Sequence, residues 1–363
     1  MKYIDEFRRK NLIQRLSLKI KEITPQGEVK IMEVCGTHTQ SFFRFGLGGF
    51  LPPNIRLICG PGCPVCVSTQ DYIDQAIQVS QEKNTIIATF GDMLRLPGSR
   101  SSLEREKAQG ADVRVVYSTL DSLRLARHNP EKKVVFLAVG FETTASTIAL
   151  SVILAKQEKL RNLFFHSSLK LMPPALAHLL KDKRLNLDGL LCPGHVSAII
   201  GLIPYNFIPR KFALPCCVAG FEPLDILEGV YMLLRQINSN NPRVDNQYSR
   251  VVTRKGNLAA SKVIREVFQT TSASWRGLGE IPGSGLKIKS QFSEFDAKRV
   301  FSLPKNRLAF SAQQKSCRCA DILKGLITPG ECGLFSGACT PDHPIGPCMV
   351  SKEGTCSIYY KYR

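Results

Sequence analysis

Cysteine and histidine residues carry the chemistry legible in this chain. Cys63 and Cys66 stand in Gly-Pro-Gly-Cys-Pro-Val-Cys. Two thiols at that spacing either close a tight disulfide or occupy two positions on one metal. A helix starting near Cys66 would favour the thiolate through its N-terminal dipole. Cys35 and His38, in Cys-Gly-Thr-His, pair a thiol with an imidazole that can accept its proton or ligate a metal. Taken together, Cys35, Cys63, Cys66 and His38 form a donor set that suits Zn2+, whereas their position beside glycines at strand ends suits a substrate site. His195, Glu142 and Glu222 follow further apolar runs, as does Asp92. They are candidates for acid–base work or for orienting His38, although a Glu after Gly also serves as a helix cap.

The last ~50 residues hold Cys317, Cys319, Cys332, Cys339, Cys348 and Cys356 among Pro- and Gly-rich loops. Irregular loops converging on four thiolates suit a cubane iron–sulfur cluster, and a pair of all-thiol zinc sites is the alternative. Cys332, Cys339, Cys348 and Cys356 are the expected ligands, because Cys317 and Cys319 are too close in sequence to ligate easily as a pair. Cys59, Cys192, Cys216 and Cys217 lie inside apolar runs and read as small buried hydrophobes.

These residues need strands to position them. Six short apolar runs, VKIMEV, IRLIC, TIIATF, KVVFLAV, LDGLL and FALPCCVA, each end in a Gly- or Pro-rich turn bearing a reactive residue. Runs of this kind read as buried strands. Helical stretches such as STQDYIDQAIQVSQEK and TASTIALSVILAKQEKL lie between them, so βαβ units and a parallel sheet are expected. Ligands then sit outside the carboxyl ends of the strands, where all these motifs fall. VGFETTA and AGFEPLD form a weak internal echo of two α/β halves. Breaks at RHNPEKK and NSNNPR divide the chain into α/β domains over 1–129 and 130–243 and a cysteine-rich domain over 244–363, which opens with the helix NLAASKVIREVF.

Composition sets the compartment. Thirteen cysteines in a chain whose N-terminus lacks an apolar leader indicate metal binding or redox work in a reducing cytoplasm rather than a disulfide framework. No apolar run reaches the ~18 residues of a membrane helix. The net charge of +19 is scattered, with FRRK and KDKR its densest patches, and no nucleic-acid module is recognisable. An acidic protein partner is the expectation, with neither nucleic acid nor membrane.

As a set, MEVCGTHT, GPGCPVCV, FGDMLRLPGS, VGFETTA, PGHVSAIIG, AGFEPLDIL, NQYSRVV, WRGLG, CTP, GPCMVS and EGTC resemble the HypD family of hydrogenase maturation factors over nearly the whole chain. The resemblance implies two Rossmann-like α/β domains plus a C-terminal [4Fe–4S] domain. It implies a scaffold and redox protein for the Fe(CN)2CO group of [NiFe]-hydrogenases, working with a HypC-type chaperone that contributes a second thiolate and a HypE-type cyanide donor. It maps the iron site onto Cys35, with Cys63 and Cys66 beside it and His38 nearby, and passes electrons from the cluster to Cys63 and Cys66. Two positions depart from the family pattern: Gln40 stands where many relatives carry a second histidine, and Cys59 where a small non-thiol residue is common.

Overall fold

The computed structural model describes residues 5–301, 303 and 315–362; the expected domain ends at 1–4 and 363 lie outside them. Eleven strands occur among the described residues: β1 (Val29–Glu33), β2 (Ile55–Cys59), β3 (Thr85–Thr89), β4 (Asp112–Val115), β5 (Lys133–Gly140), β6 (Leu163–Leu169), β7 (Gly189–Pro193), β8 (Cys216–Ala219), β9 (Val244–Asn246), β10 (Phe268–Trp275) and β11 (Gly279–Ile288). All six apolar runs form strands. β3 and β7 are buried along their whole length, so both faces are covered and neither strand alternates in polarity. The expected helices form at Gln70–Ser80, Glu142–Gln157 and Leu258–Val267.

Two parallel sheets result. One has the order β2-β1-β7-β8-β9 and the other β4-β3-β5-β6. The first therefore takes strands from either side of the segment that builds the second. β1 pairs with β2 on one edge and with β7 on the other, placing Ile31 opposite Gly189. The sheets divide the chain differently from the breaks at 129 and 243. The first break falls between β4 and β5, which share a sheet, and the second separates β9 from its partner β8. Linker composition marks exposed turns, but it does not reveal which distant strand completes an edge.

The Gly-rich stretch after the Leu258–Val267 helix is also more regular than its composition suggests. β10 and β11 form an antiparallel hairpin with an irregularity between Thr271 and Ala273. At its turn, Gly277 and Gly279 have φ of +81° and +79°, a region that favours glycine. Trp275 ends β10 fully buried, stacked on Phe141 at 5.9 Å with its indole N–H donated to Ser284 Oγ at 2.8 Å. Among the described residues, no helix is long and apolar enough to cross a membrane.

A polar latch fixes the carboxyl edge of the first sheet. Asp225 is fully buried on the helix after β8 and receives both arms of Arg250, at 2.8 and 2.6 Å. Gln247 donates to Asp225 at 2.8 Å and accepts from the Gly220 N–H at 3.0 Å. Replacing Asp225 by Ala leaves Gln247 and the partly exposed Arg250 without their acceptor and should cost about 1–3 kcal/mol, read as a lower urea midpoint; an unchanged midpoint would contradict the latch.

The second sheet carries a buried imidazole. His166, on β6, stacks on Tyr72 at 4.5 Å, and its ring nitrogens have no hydrogen-bond partner. Burial, with Lys298 nearby, pushes its pKa down to about 3. The unfolded chain accepts this proton near pH 6.5, so the stability this group contributes is complete above that pH. It drains as pH falls toward 3, by up to about 1.4 kcal/mol per pH unit. Urea titrations across pH 3–7 should show His166→Phe flattening that part of the profile relative to the parent.

Candidate redox and metal site

Cys35 ends the extended run of β1 and is the N-cap of the helix Gly36–Arg44, with φ −153° and ψ 123°. The GPGC loop lies directly against it. A Cβ at Gly62 would fall 2.5 Å from the Cα and N of Cys35, so glycine is what lets the CPVC motif approach. On the other side, Gly36 meets the backbone of Glu353 in the tail, and Thr37 Oγ1 donates to Glu353 Oε1 at 2.9 Å. The Cys35 thiol is buried. Desolvation, with the Glu353 carboxyl next, pushes its pKa up to about 12, while bonds from Thr37 and His38 act in the opposite direction.

Cys66 donates to Cys63 Sγ at 2.7 Å, and the Cys66 N–H reaches the same sulfur at 3.2 Å. Both are free thiols. No helix starts at Cys66; the next one begins at Gln70. Residues 64–67 form a turn, and the carbonyls of Val67 and Ser68 accept from Arg276, through its N–H at 2.9 Å and its Nε at 2.8 Å. The dipole argument therefore does not apply, and burial raises the Cys66 pKa above that of an ordinary thiol.

His38 does not bond to Cys35 through its ring. Its Nε2 lies 2.9 Å from the Gly220 carbonyl and 3.2 Å from that of Ala219, at the end of β8, and Nδ1 has no partner. Carbonyls only accept, so Nε2 carries the proton. Burial pushes the His38 pKa down to about 4 and keeps the ring neutral. Phe221 lies between His38 and the exposed His195, with ring centroids 4.8 and 4.0 Å away. Glu222 caps the helix Pro223–Asn238 and pairs with Arg8, which is the helix-cap role. Glu142 accepts from the Met172 N–H at 3.0 Å; its other oxygen is unpartnered, and burial pushes its pKa up to about 7. Asp92 accepts from Ser351 Oγ at 2.8 Å and so ties β3 to the tail.

The tail thiols converge beside Cys66. Cys319 lies within hydrogen-bonding reach of Cys317, Cys348 and Cys356, and Cys348 reaches Cys66 as well. Cys339 Sγ accepts from the Ile345 N–H at 3.4 Å and lies within electrostatic range of Cys317 and Cys319. Cys332 is buried at the end of the short helix Pro329–Glu331. Cys319, set aside on spacing, thus stands at the junction of the group, at the start of the short helix Cys319–Leu323. The described residues hold no group of three or more His, Cys, Asp or Glu side chains drawn onto a single ion. A cubane cluster spreads its ligands over separate irons, and a buried all-thiol donor set suits it.

Three further groups were not singled out from sequence. Glu33 is buried, accepts from Cys59 Sγ at 3.4 Å and has a second, unpartnered oxygen; burial pushes its pKa up to about 7. It lies inside MEVCGTHT, where a carboxyl in an otherwise apolar strand is the available signal. Cys59, unusual for the family pattern, is turned to this carboxyl. Glu353 lies in EGTC, quoted above for its cysteine. Arg276 lies in WRGLG, distant in sequence from the CPVC turn it braces. Cys192, Cys216 and Cys217 are fully buried in β7 and β8, as expected.

Two parallel sheets whose carboxyl edges are joined by a thiol-rich tail define a cysteine-based α/β protein. The profile described as "Hydrogenase formation hypA family", HypD, matches residues 11–363, and the chain belongs to that family. It is 43% identical to the hydrogenase maturation factor HypD of Cupriavidus necator, over all of this chain and 97% of that one. It is 43% identical to HypD2 of Bradyrhizobium diazoefficiens, with 100% and 97% covered, and 42% identical to HypD of Escherichia coli K12, with 100% and 98% covered.

Gly62→Ala should force the CPVC loop away from Cys35 and lower stability by about 1–3 kcal/mol, visible as a reduced melting temperature. A variant as stable as the parent would mean that the loop tolerates a side chain there.

Proposed function

We propose that this chain is a cytoplasmic hydrogenase maturation factor that acts as scaffold and redox protein in assembling the Fe(CN)2CO group. In this reading it works with a HypC-type chaperone and a HypE-type cyanide donor. The observation that carries the reading is the continuity of thiols from Cys63 and Cys66 through Cys348 to Cys319 and Cys356, next to the separate thiol of Cys35. Family membership supplies the context.

Iron is the cargo, and Cys35 is its thiolate anchor, with Cys63 and Cys66 alongside. Soft thiolates suit a low-spin iron carrying cyanide and carbon monoxide. A [4Fe–4S] cluster held by tail thiols, Cys348 and Cys356 among them, would supply electrons one at a time. The protein's own part is positional. Gly36 and Gly62 bring three chain segments into contact around Cys35. Asp92 and Ser351 hold the tail across the gap between the sheets. Burial excludes water from the anchor thiol. Metal binding requires the Cys35 proton to leave, so loading should release protons and be favoured at higher pH.

Infrared spectra of the anaerobically isolated complex from a hydrogenase-competent host should show CN and CO stretching bands, and Cys35→Ala should lose them. Cys348→Ala should lose the brown colour of the cluster. Absence of both bands from the parent complex would overturn the reading. The close Cys63–Cys66 contact also favours a thiol–disulfide oxidoreductase without a scaffold role. That alternative requires Cys35→Ala to retain full activity toward protein disulfides, and zinc without iron on metal analysis would speak for a structural site instead.

A further inference from the structure

The FGDMLRLPGS motif leads from the end of β3 into a loop that the thiol site uses only through Asp92. The loop is firmly held. Asp74 accepts from the Ser99 N–H at 2.7 Å and from Ser99 Oγ at 2.6 Å. The Gly98 N–H donates to Ser101 O at 2.8 Å, and a Cβ at Gly98 would fall 2.5 Å from Ile77 Cδ1 and 2.7 Å from Asp74 Oδ1. On its other side the loop meets the tail, where the Arg95 guanidinium donates to the Pro341 carbonyl. Between this loop and the tail segment 338–345 lies a cavity of about 440 Å3, with Arg95, Arg100, Arg105, Ser101 and Ser102 in its lining.

Guanidinium groups gathered at one cavity repel one another unless an anion joins them. Elsewhere in the protein Arg114, Arg127, Arg184 and Arg250 each reach a carboxylate. Among the described residues, Arg95, Arg100 and Arg105 form no such ion pair. Ser102 Oγ accepts from the Arg105 N–H at 3.3 Å, which leaves its own hydroxyl proton to donate. Guanidinium forks beside hydroxyl donors are the chemistry that recognises phosphate oxygens. Glu104 and Asp342 also line the cavity. They would repel phosphate itself and accept from hydroxyl groups on the rest of a ligand. No Phe, Tyr or Trp stands among the lining residues, so a nucleobase would find no ring of that kind to stack on. The volume falls in the range of small-ligand sites and leaves room for more than a single oxyanion.

We propose that this cavity binds the phosphate group of a small, hydroxyl-bearing ester, held by Arg100 and Arg105 on the loop side. The ligand then sits where the loop and the tail face each other, so its arrival clamps the segment 338–345 to the second sheet. The proposal goes beyond the iron and redox reading and does not rest on it.

The test uses the full chain, purified anaerobically, with glycerol 3-phosphate and inorganic phosphate as separate probes in titration calorimetry. Glycerol 3-phosphate should bind, and Arg100→Gln and Arg105→Gln should each weaken it about tenfold. Both side chains are exposed, so these variants should keep the parent melting temperature. A chain of net charge +19 attracts any anion over its surface, so Arg210→Gln, outside the cavity, serves as the control and should bind as the parent does. Hydrogen exchange over 338–345 should slow when the ester is added. Failure of both probes to bind overturns the proposal, as does binding that both cavity variants retain or that Arg210→Gln weakens equally. Unchanged exchange over 338–345 overturns the clamp. Inorganic phosphate binding as tightly as the ester strikes the ester and supports the phosphate site. None of these readouts detects iron or a disulfide, so their failure is distinct from failure of the maturation reading.

Discussion

Backbone touching backbone at Gly36 and Gly62 is the constraint on which the thiol site depends. At Gly62 the CPVC loop lies against the Cα of Cys35, and at Gly36 the start of the helix lies against Glu353 of the tail. Any side chain at either position would hold these segments apart by the thickness of a methyl group. With both glycines in place, a strand end, a loop and a C-terminal segment share one small volume. Thr37 is then close enough to bond Glu353, and Cys66 close enough to meet Cys348. The two parallel sheets provide the rigid frame, and the tail joins their carboxyl edges through Thr37 on one side and Asp92 on the other.

Electrically, this volume is kept nearly neutral. Burial raises the Cys35 and Cys66 thiols, raises Glu33 to about 7 and lowers His38 to about 4. Each shift has the same first cause: in a low-dielectric interior the uncharged form is preferred. Arg276 is the exception because a guanidinium cannot give up its proton. Burial therefore favours the protonated thiols of Cys35 and Cys66 and a neutral His38, while Arg276 keeps its charge.

Much of this arrangement is legible in sequence. A buried parallel strand is a short apolar run, and a residue placed just beyond it must lie at the carboxyl edge; Cys35, Cys63, Asp92, Glu142 and His195 were located in this way. Strand pairing is not legible in the same manner. Nothing in VKIMEV indicates that its second neighbour is GLLCP rather than a strand of the intervening segment. β6 escapes this pattern because His166, Ser167 and Ser168 interrupt its apolar run, and the β10–β11 hairpin because its glycines read as loop. His38 and Glu222 show a further limit. Residue type and spacing bring a side chain to the site, but its hydrogen bonds are set by elements far along the chain: the β8 carbonyls for His38 and Arg8 for Glu222. Arg276 is the extreme case, since its value lies wholly in what the fold brings to it.

The order in which the first sheet draws on the chain bears on how the protein is made. β1 and β2 leave the ribosome early, yet β7 and β8, which complete their sheet, follow only after the whole of the second sheet has been translated. At ~5–20 residues per second the nascent β1–β2 pair waits for roughly 6–26 seconds with an open, apolar edge beside an uncovered Cys35. The residues that close the site, 347–356, emerge later still. Shielding of that edge against wrong pairing therefore falls to chaperones or to the speed with which the second sheet folds out of the way.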